Sequence, residues 1–162
     1  HGSNASTASC YSATLGAAQE GALHGIPSIG FSIDSLDPDA DFSPVEKYLP
    51  LVLEKILNDL PQRKGIYYNV NFPAIPADKV KGLRVARMGN GKWVREFKQI
   101  SGDMDHGTWV MVGEYVDGSD NPMDADHHLM EQGYISIVAH QLDNTDPAES
   151  DRLREDGFDI DF

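Results

Sequence analysis

Three things are scarce in this chain, and each scarcity removes a class of explanation. Cysteine occurs once, as Cys10, so no internal disulfide can form, and no His or Cys stands at zinc-finger spacing from it; a reducing compartment, the cytoplasm by default, is expected. Long apolar runs are missing: nothing approaches the roughly 20 residues that span a bilayer, so a soluble protein with no membrane partner is expected. Positive charge is in short supply. Thirteen Lys and Arg against 26 Asp and Glu leave a formal charge of −13, which repels phosphate backbones and argues against a nucleic-acid polymer as partner. A small phosphate ester can still bind where backbone N–H groups or a metal supply local positive charge. The chain also opens on His1 rather than Met, and His1-Gly2-Ser3-Asn4-Ala5-Ser6 reads as neither signal peptide nor helix. The expectation is a chain incomplete at this end, although Gly2-Ser3 also fits a cloning remnant.

With 162 residues, 40% of them hydrophobic, the chain can build one compact domain, or one domain plus an extended arm. Residues 12–24 are rich in small side chains and run into Gly25 and Pro27, which predicts a close-packed helix. Residues 28–33 then read as a buried strand, and helix followed by strand is one step of an α/β layer fold. Ser43-Pro44-Val45-Glu46 carries helix-start signals, with Ser43 as cap and Glu46 completing a capping box. The apolar face of Val45, Leu49, Val52, Leu53, Ile56, Leu57 and Leu60 follows, bent by Pro50 and stopped by Pro61.

Beyond it, residues 65–73 and 83–87 read as strands. Turn chemistry at Gly89-Asn90-Gly91 suggests a hairpin-like continuation through 92–100. A further strand is expected over 108–115, a short helix over 124–132 and a strand over 134–138. The acidic stretch 143–162 has few apolar anchors and is expected to be mobile or to lie on a neighbouring subunit. The chain thus divides into an α/β part (1–73), a strand-rich part with hairpins and a short helix returning to the core (74–142), and an acidic tail (143–162).

Four motifs in order carry a resemblance. His1-Gly2-Ser3-Asn4 followed by Tyr11-Ser12-Ala13-Thr14 is similar, from one residue inside the loop, to the Asn-x-Gly-x-Asn loop and Tyr-Ser-Gly-Thr helix start of SurE-type (survival protein E) nucleotidases. Ala17-Ala18-Gln19-Glu20-Gly21 with Gly25-Ile26-Pro27-Ser28-Ile29, then Asn69-Val70-Asn71-Phe72-Pro73, then Gly133-Tyr134-Ile135-Ser136-Ile137 continue it. The resemblance implies a SurE-like, Rossmann-like three-layer α/β part followed by a strand-rich hairpin region used in oligomerisation, as a homodimer or tetramer. It also implies a metal-dependent phosphomonoesterase, a 5'-nucleotidase hydrolysing nucleoside monophosphates to nucleoside and phosphate with Mg²⁺ or Mn²⁺.

The family's metal ligands are two adjacent Asp, a Ser from a later loop and the first Asn of the Asn-x-Gly-x-Asn loop. All would lie upstream of His1, so no metal ligand is carried over. Asn4, Ser12 and Thr14 carry over as catalytic residues, and Gly2 and Ala13 join them in substrate binding. Ala13 departs from the family's Gly; a negative φ in a helix would make that tolerable. On this reading the chain works as part of a longer one and is inactive alone. The alternative is a truncated, non-catalytic nucleotide-binding or oligomerisation module.

The chemistry is consistent with these choices. Phosphate ester hydrolysis needs neutralised phosphoryl oxygens, a positioned water and a stabilised leaving group. Ser12 and Thr14 at a helix N-terminus offer hydroxyls beside unpaired N–H groups. Read structurally, Ser12 only caps the helix, Thr14 points inward and Asn4 is a turn residue. Asp124-Ala125-Asp126-His127-His128 is a second cluster of ligand-type side chains, but on a helix His127 and His128 point about 100° apart, and it receives no role. Trp93, Phe97, Trp109 and Tyr115 read as core or interface aromatics rather than base-stacking residues.

Overall fold

A computed structural model describes residues 2–161. A 3₁₀ turn at Ser6–Tyr11 leads into helix α1, Ala13–Leu23, whose N-cap Ser12 accepts the Leu15 N–H through Oγ at 3.1 Å. Strand β1, Ser28–Ile33, helix α2, Ser43–Leu57, and strand β2, Ile66–Phe72, follow where the sequence places them. Ser43 differs in detail. It is the first helical residue and not the cap; its Oγ donates to Asp41 at 2.8 Å, and Pro44 occupies the first turn.

Strand β3, Gly82–Val85, and strand β8, Tyr134–Gln141, complete a four-stranded sheet in the order β1-β2-β8-β3. β1 and β2 are parallel, β8 runs antiparallel to β2, and β3 lies parallel to β8. The two faces of this sheet differ chemically. Ile33, Val70, Phe72 and Ile135 pack with Val52 and Ile56 of α2 into the main apolar core, each such side chain contributing roughly 1.5–3 kcal/mol by burial. On the other face Leu15, Ala18 and Ala22 of α1 close over Tyr67. Gly30 permits this approach, since a Cβ there would come within 2.6 Å of Leu15 Cδ2. Helices on both faces make three layers.

The strand-rich part is one long antiparallel ribbon. Strands β4, Gly91–Val94, and β7, Glu114–Asp117, pair at its base, and β5, Phe97–Ser101, and β6, Thr108–Met111, pair at its tip. The expected strand over 108–115 is therefore broken, because Gly113 and Arg95 both take positive φ opposite one another. The expected hairpin about Gly89-Asn90-Gly91 is also absent: β3 finds its partner in β8, leaving β4 to pair with β7. Trp93 meets Tyr115 edge to face across the ribbon at 5.8 Å.

Helix α3, Asp126–Glu131, returns the chain to the sheet with Leu129 and Met130 buried. The tail holds a regular helix that its composition did not suggest. Helix α4, Pro147–Glu155, is capped by Asp146, carries ion pairs of Arg152 with Glu149 and Asp156, and buries none of its residues.

Candidate active site

The corner singled out in sequence is assembled by a buried amide network. Asn69 and Asn71, two apart on β2, share the sheet face opposite the main core and are both fully buried. The Asn4 N–H donates to Asn71 Oδ1 at 2.9 Å, Asn69 Nδ2 donates to the Asn4 carbonyl at 2.8 Å, and Asn71 Nδ2 donates to Asn69 Oδ1 at 2.8 Å. Asn4 Nδ2 donates to Ser32 Oγ on β1. Buried polar groups are tolerated when satisfied in this way.

Asp126 holds the other end of the loop. Its carboxylate, fully buried, accepts the Ser6 N–H at 2.8 Å, the Gly89 N–H at 3.1 Å and its neighbour His127's N–H at 2.9 Å. Ser6 sits at φ 57°, a conformation serine adopts only when held, and its Oγ also bonds Tyr115 Oη on the ribbon. The loop 2–11 is thus tied to β1, β2, α3 and β7.

Gly30 lies under Thr14 and Leu15 while Gly21 lies over Ser28, so α1 runs antiparallel to β1. Its N-terminus therefore stands at the carboxyl ends of the parallel β1/β2 pair, where open α/β sheets place ligands. Helix geometry leaves the first N–H groups without intrahelical partners. Ser12 Oγ takes that of Leu15, leaving those of Ala13 and Thr14. Ala13 is within the helix and has no positive φ, which removes the steric objection to alanine there. Gly2, at φ 89°, donates its N–H to the Ser35 carbonyl at 2.8 Å.

Asp34, at the end of β1, meets Ser3. Desolvation holds its carboxyl above the ordinary range against the Ser3 hydrogen bond, with Glu131 adding to the rise, although one face of Asp34 stays in water.

The second cluster is rearranged relative to its sequence. Asp124 faces solvent near Arg87, 3.5 Å away, and Asp126 is spent on backbone donors. His127 and His128 do converge, with ring centroids 4.2 Å apart, on Asp117 of β7: Nε2 lies 2.8 Å from Oδ1 and 3.1 Å from Oδ2 respectively. The expected divergence is not observed, because both imidazoles turn onto the one carboxylate of Asp117. Desolvation pushes the Asp117 carboxyl up, but hydrogen bonds from His128 and Asn121 and the adjacent His127 outweigh it, and it lies below the ordinary range. The same contact with Asp117 raises His128, against a smaller desolvation effect. Asp117 was not legible as a member, since it lies ten residues away across a turn.

Cavities of about 360 Å³ by Ala22, Lys64 and Leu142 and about 420 Å³ by Phe97 and Val112 both lie away from the loop.

Comparison with known proteins decides the lineage. The profile of the family described as "Survival protein SurE" matches residues 1–95. The chain belongs to the SurE family. It is 36% identical over 146 residues to a protein named "5'-nucleotidase SurE" from Christiangramia forsetii, covering 90% of this chain and 55% of that one. A protein of the same name from Bacteroides thetaiotaomicron is 37% identical over 149 residues, again 90% and 55%. The crystal structure of the SurE protein from Aquifex aeolicus superposes with a TM-score of 0.76 at 25% identity, over 95% of this chain and 61% of that one. The chain therefore spans about half the length of the curated relatives it matches. The SurE-like, Rossmann-like α/β fold expected from the motifs is the fold observed.

The SurE family implies a divalent cation, and the chain's residues at the corner do not fit one. Mg²⁺ and Mn²⁺ take oxygen ligands, typically one or two carboxylates completed by waters and phosphate. Here the Asn4 amide and the Ser12 hydroxyl are engaged within the protein, and the Asp34 carboxylate belongs to no cluster of three or more ligand-type side chains among the described residues. Among the described residues the convergent group of His, Cys, Asp or Glu is Asp117, His127 and His128, rich in nitrogen and on α3 and the ribbon.

Proposed function

We propose that this chain is the phosphate-receiving part of a metal-dependent 5'-nucleotidase that hydrolyses nucleoside monophosphates to nucleoside and phosphate, working within a longer chain that supplies the Mg²⁺ or Mn²⁺ ligands. The observation that carries it is the exposed N-terminus of α1 beside a rigidly anchored loop at the carboxyl ends of β1 and β2. Ala13 and Thr14 N–H groups and the Thr14 hydroxyl face a phosphate there, aided by the positive end of the helix. Ser12 shapes this donor set by capping Leu15. Asn4 positions the loop through β1 and β2, and Gly2 lets the chain turn over Ser35.

The relatives' name, the SurE profile and the 55% coverage support the reading. It is tested by measuring phosphate release from nucleoside monophosphates with and without Mg²⁺ or Mn²⁺, for this chain and for one extended upstream. Turnover by the extended chain alone is expected; robust metal-dependent turnover by the 162-residue chain would overturn the division of labour.

A second reading, an oligomerisation module, has its own support in the ribbon. Phe97, Ile100 and Met111 are 61%, 61% and 75% exposed, more apolar surface than a two-stranded ribbon keeps in water at no cost. We assign the ribbon and tail to contacts in a homodimer or tetramer. No described helix is long and apolar enough to cross a membrane, and the single, exposed Cys10 fits a cytoplasmic location.

A further inference from the structure

The base of the ribbon and the first turn of α3 meet at three side chains whose ligand atoms, Asp117 Oδ, His127 Nε2 and His128 Nε2, all lie within 4.8 Å of one another. A tetrahedral centre with bonds of about 2.0–2.1 Å spaces its ligand atoms by roughly 3.4 Å. The carboxylate–imidazole separations, 2.8 Å from His127 to Oδ1 and 3.1 Å from His128 to Oδ2, fall on different oxygens, so the carboxylate turns to offer one oxygen to a centre shared with both imidazoles, a movement its exposure allows. The far nitrogens are also engaged. His128 Nδ1 stands 3.2 Å from the Pro122 carbonyl and His127 Nδ1 3.4 Å from Asp126 Oδ1. An acceptor at each Nδ1 can hold the ring proton there, so a cation that replaces the Nε2 protons now shared with Asp117 meets two Nε2 lone pairs, which is how metal-binding imidazoles are oriented. Asn121 braces the carboxylate, donating to Asp117 while its Oδ1 accepts the Asn90 N–H at 2.6 Å. His127 and His128 are half-buried and Asp117 is open to water, so an ion can enter.

We propose that Asp117, His127 and His128 form a binding site for a borderline divalent cation of the Zn²⁺, Co²⁺ or Ni²⁺ class, separate from any cation of the phosphate-binding corner. Two imidazoles and one carboxylate suit these metals and disfavour Mg²⁺ and Ca²⁺, which select oxygen. Three protein ligands leave a position for water. The ion would clip β7 to α3 and so fix the angle at which the ribbon leaves the sheet, next to Tyr115 and Asp126, which hold the loop 2–11.

The test uses the whole untagged chain and no activity measurement. Co²⁺ is titrated while its visible d–d absorption is recorded, and Zn²⁺ affinity is then read by competition with a chromophoric chelator. One equivalent of Co²⁺ with a low-symmetry visible spectrum is expected, displaced by Zn²⁺ and unaffected by millimolar Mg²⁺. Asp117→Asn and His128→Ala should each weaken Zn²⁺ at least roughly tenfold, since losing even an orienting partner of a ligand costs about 10–100-fold. His24→Ala and His106→Ala, at exposed histidines elsewhere, should change nothing. Circular dichroism checks that the variants fold, and His128→Gln, which keeps the bulk, stands in if His128→Ala does not. Binding that survives Asp117→Asn and His128→Gln, that falls equally in the two control variants, or that Mg²⁺ displaces would overturn the proposal, as would no binding at all.

Discussion

Replacing Asp126 separates the two ways the loop 2–11 is held. Its Oδ2 serves the Ser6 N–H, while Oδ1 serves the Gly89 and His127 N–H groups. In Asp126→Ala two buried donors, those of Ser6 and Gly89, lose their acceptor; at about 1–3 kcal/mol for each buried donor left unsatisfied, the loss is about 2–6 kcal/mol. That is a large share of a typical stability of about 5–15 kcal/mol. Asp126→Asn is more selective. Its amide oxygen can keep Gly89 and His127, but its NH₂ then faces the Ser6 N–H, donor against donor, so about 1–3 kcal/mol is lost, and it is lost at the loop. Ser6 at φ 57° then keeps its side-chain bond to Tyr115 but loses the acceptor of its N–H. Urea unfolding gives the totals and amide hydrogen exchange the location: in Asp126→Asn the Ser6 amide should exchange much faster while that of Gly89 stays protected. A change within about 0.5 kcal/mol, the range of ordinary surface substitutions, together with unaltered Ser6 exchange, would refute this account of the loop.

Three further expectations follow from named contacts. Asn4→Ala removes the amide that reaches Ser32 and is expected to cost stability as well as hydrolysis in the extended enzyme, whereas Ser12→Ala should cost about 0.5–2 kcal/mol as a lost cap; unfolding midpoints and phosphate release separate the two effects. Gly30→Ala forces Leu15 aside and should destabilise by about 1–3 kcal/mol, measured by thermal unfolding; an unchanged Tm would mean that α1 does not sit on β1 as described. Burial holds His140 below the ordinary histidine range, against a smaller pull from Asp126, with its ring stacked on Tyr67. The unfolded chain therefore takes up the proton first as pH falls, so the stability linked to His140 is full above about 6.5 and declines below it; His140→Phe should flatten that decline in urea midpoints, and an unchanged slope would assign it elsewhere.

Much of the fold was legible because it rests on local signals. The small-residue pattern of α1, the Pro44 start of α2 and the β-branched and aromatic residues of β2 and β8 each fix an element within its own segment. What failed depended on distant partners. Nothing near Gly89 says that β3 will pair with β8, fifty residues on, and nothing between 108 and 115 says that Gly113 will bend opposite Arg95. Helix α4 was missed because its support is capping and i,i+3 and i,i+4 ion pairs rather than an apolar face. At the site, Ser12 as a helix cap was legible from its position before α1, whereas Asn4 as the anchor of the loop to two strands was not, because its partners Ser32, Asn69 and Asn71 lie far along the chain. The carboxylate that anchors Ser6 and Gly89, Asp126, stands in the sequence only as one member of the Asp124–His128 cluster, because its backbone partners lie 120 and 37 residues away.

The two faces of the central sheet are built on different chemistry. The α2 face is built as a stability core, with Phe31 and Phe72 in tilted contact at 6.4 Å and aliphatic side chains around them. The opposite face carries Ser32, Asn69, Asn71 and Ser136 where a core selected for stability would carry valine or leucine. Burying amides and hydroxyls is at best near break-even against apolar packing, and Ser136 Oγ finds no partner among the described residues. What the amides provide is direction. An apolar contact between loop and sheet tolerates sliding, whereas Asn4 bonded to three side chains on two strands has one position and one orientation. A loop fixed to that degree beside a helix N-terminus suits a site that must hold donors still around a small anion, because donors already in place need not reorganise as charge develops on it. Stability given up on one face of the sheet is thereby recovered as geometry at its edge.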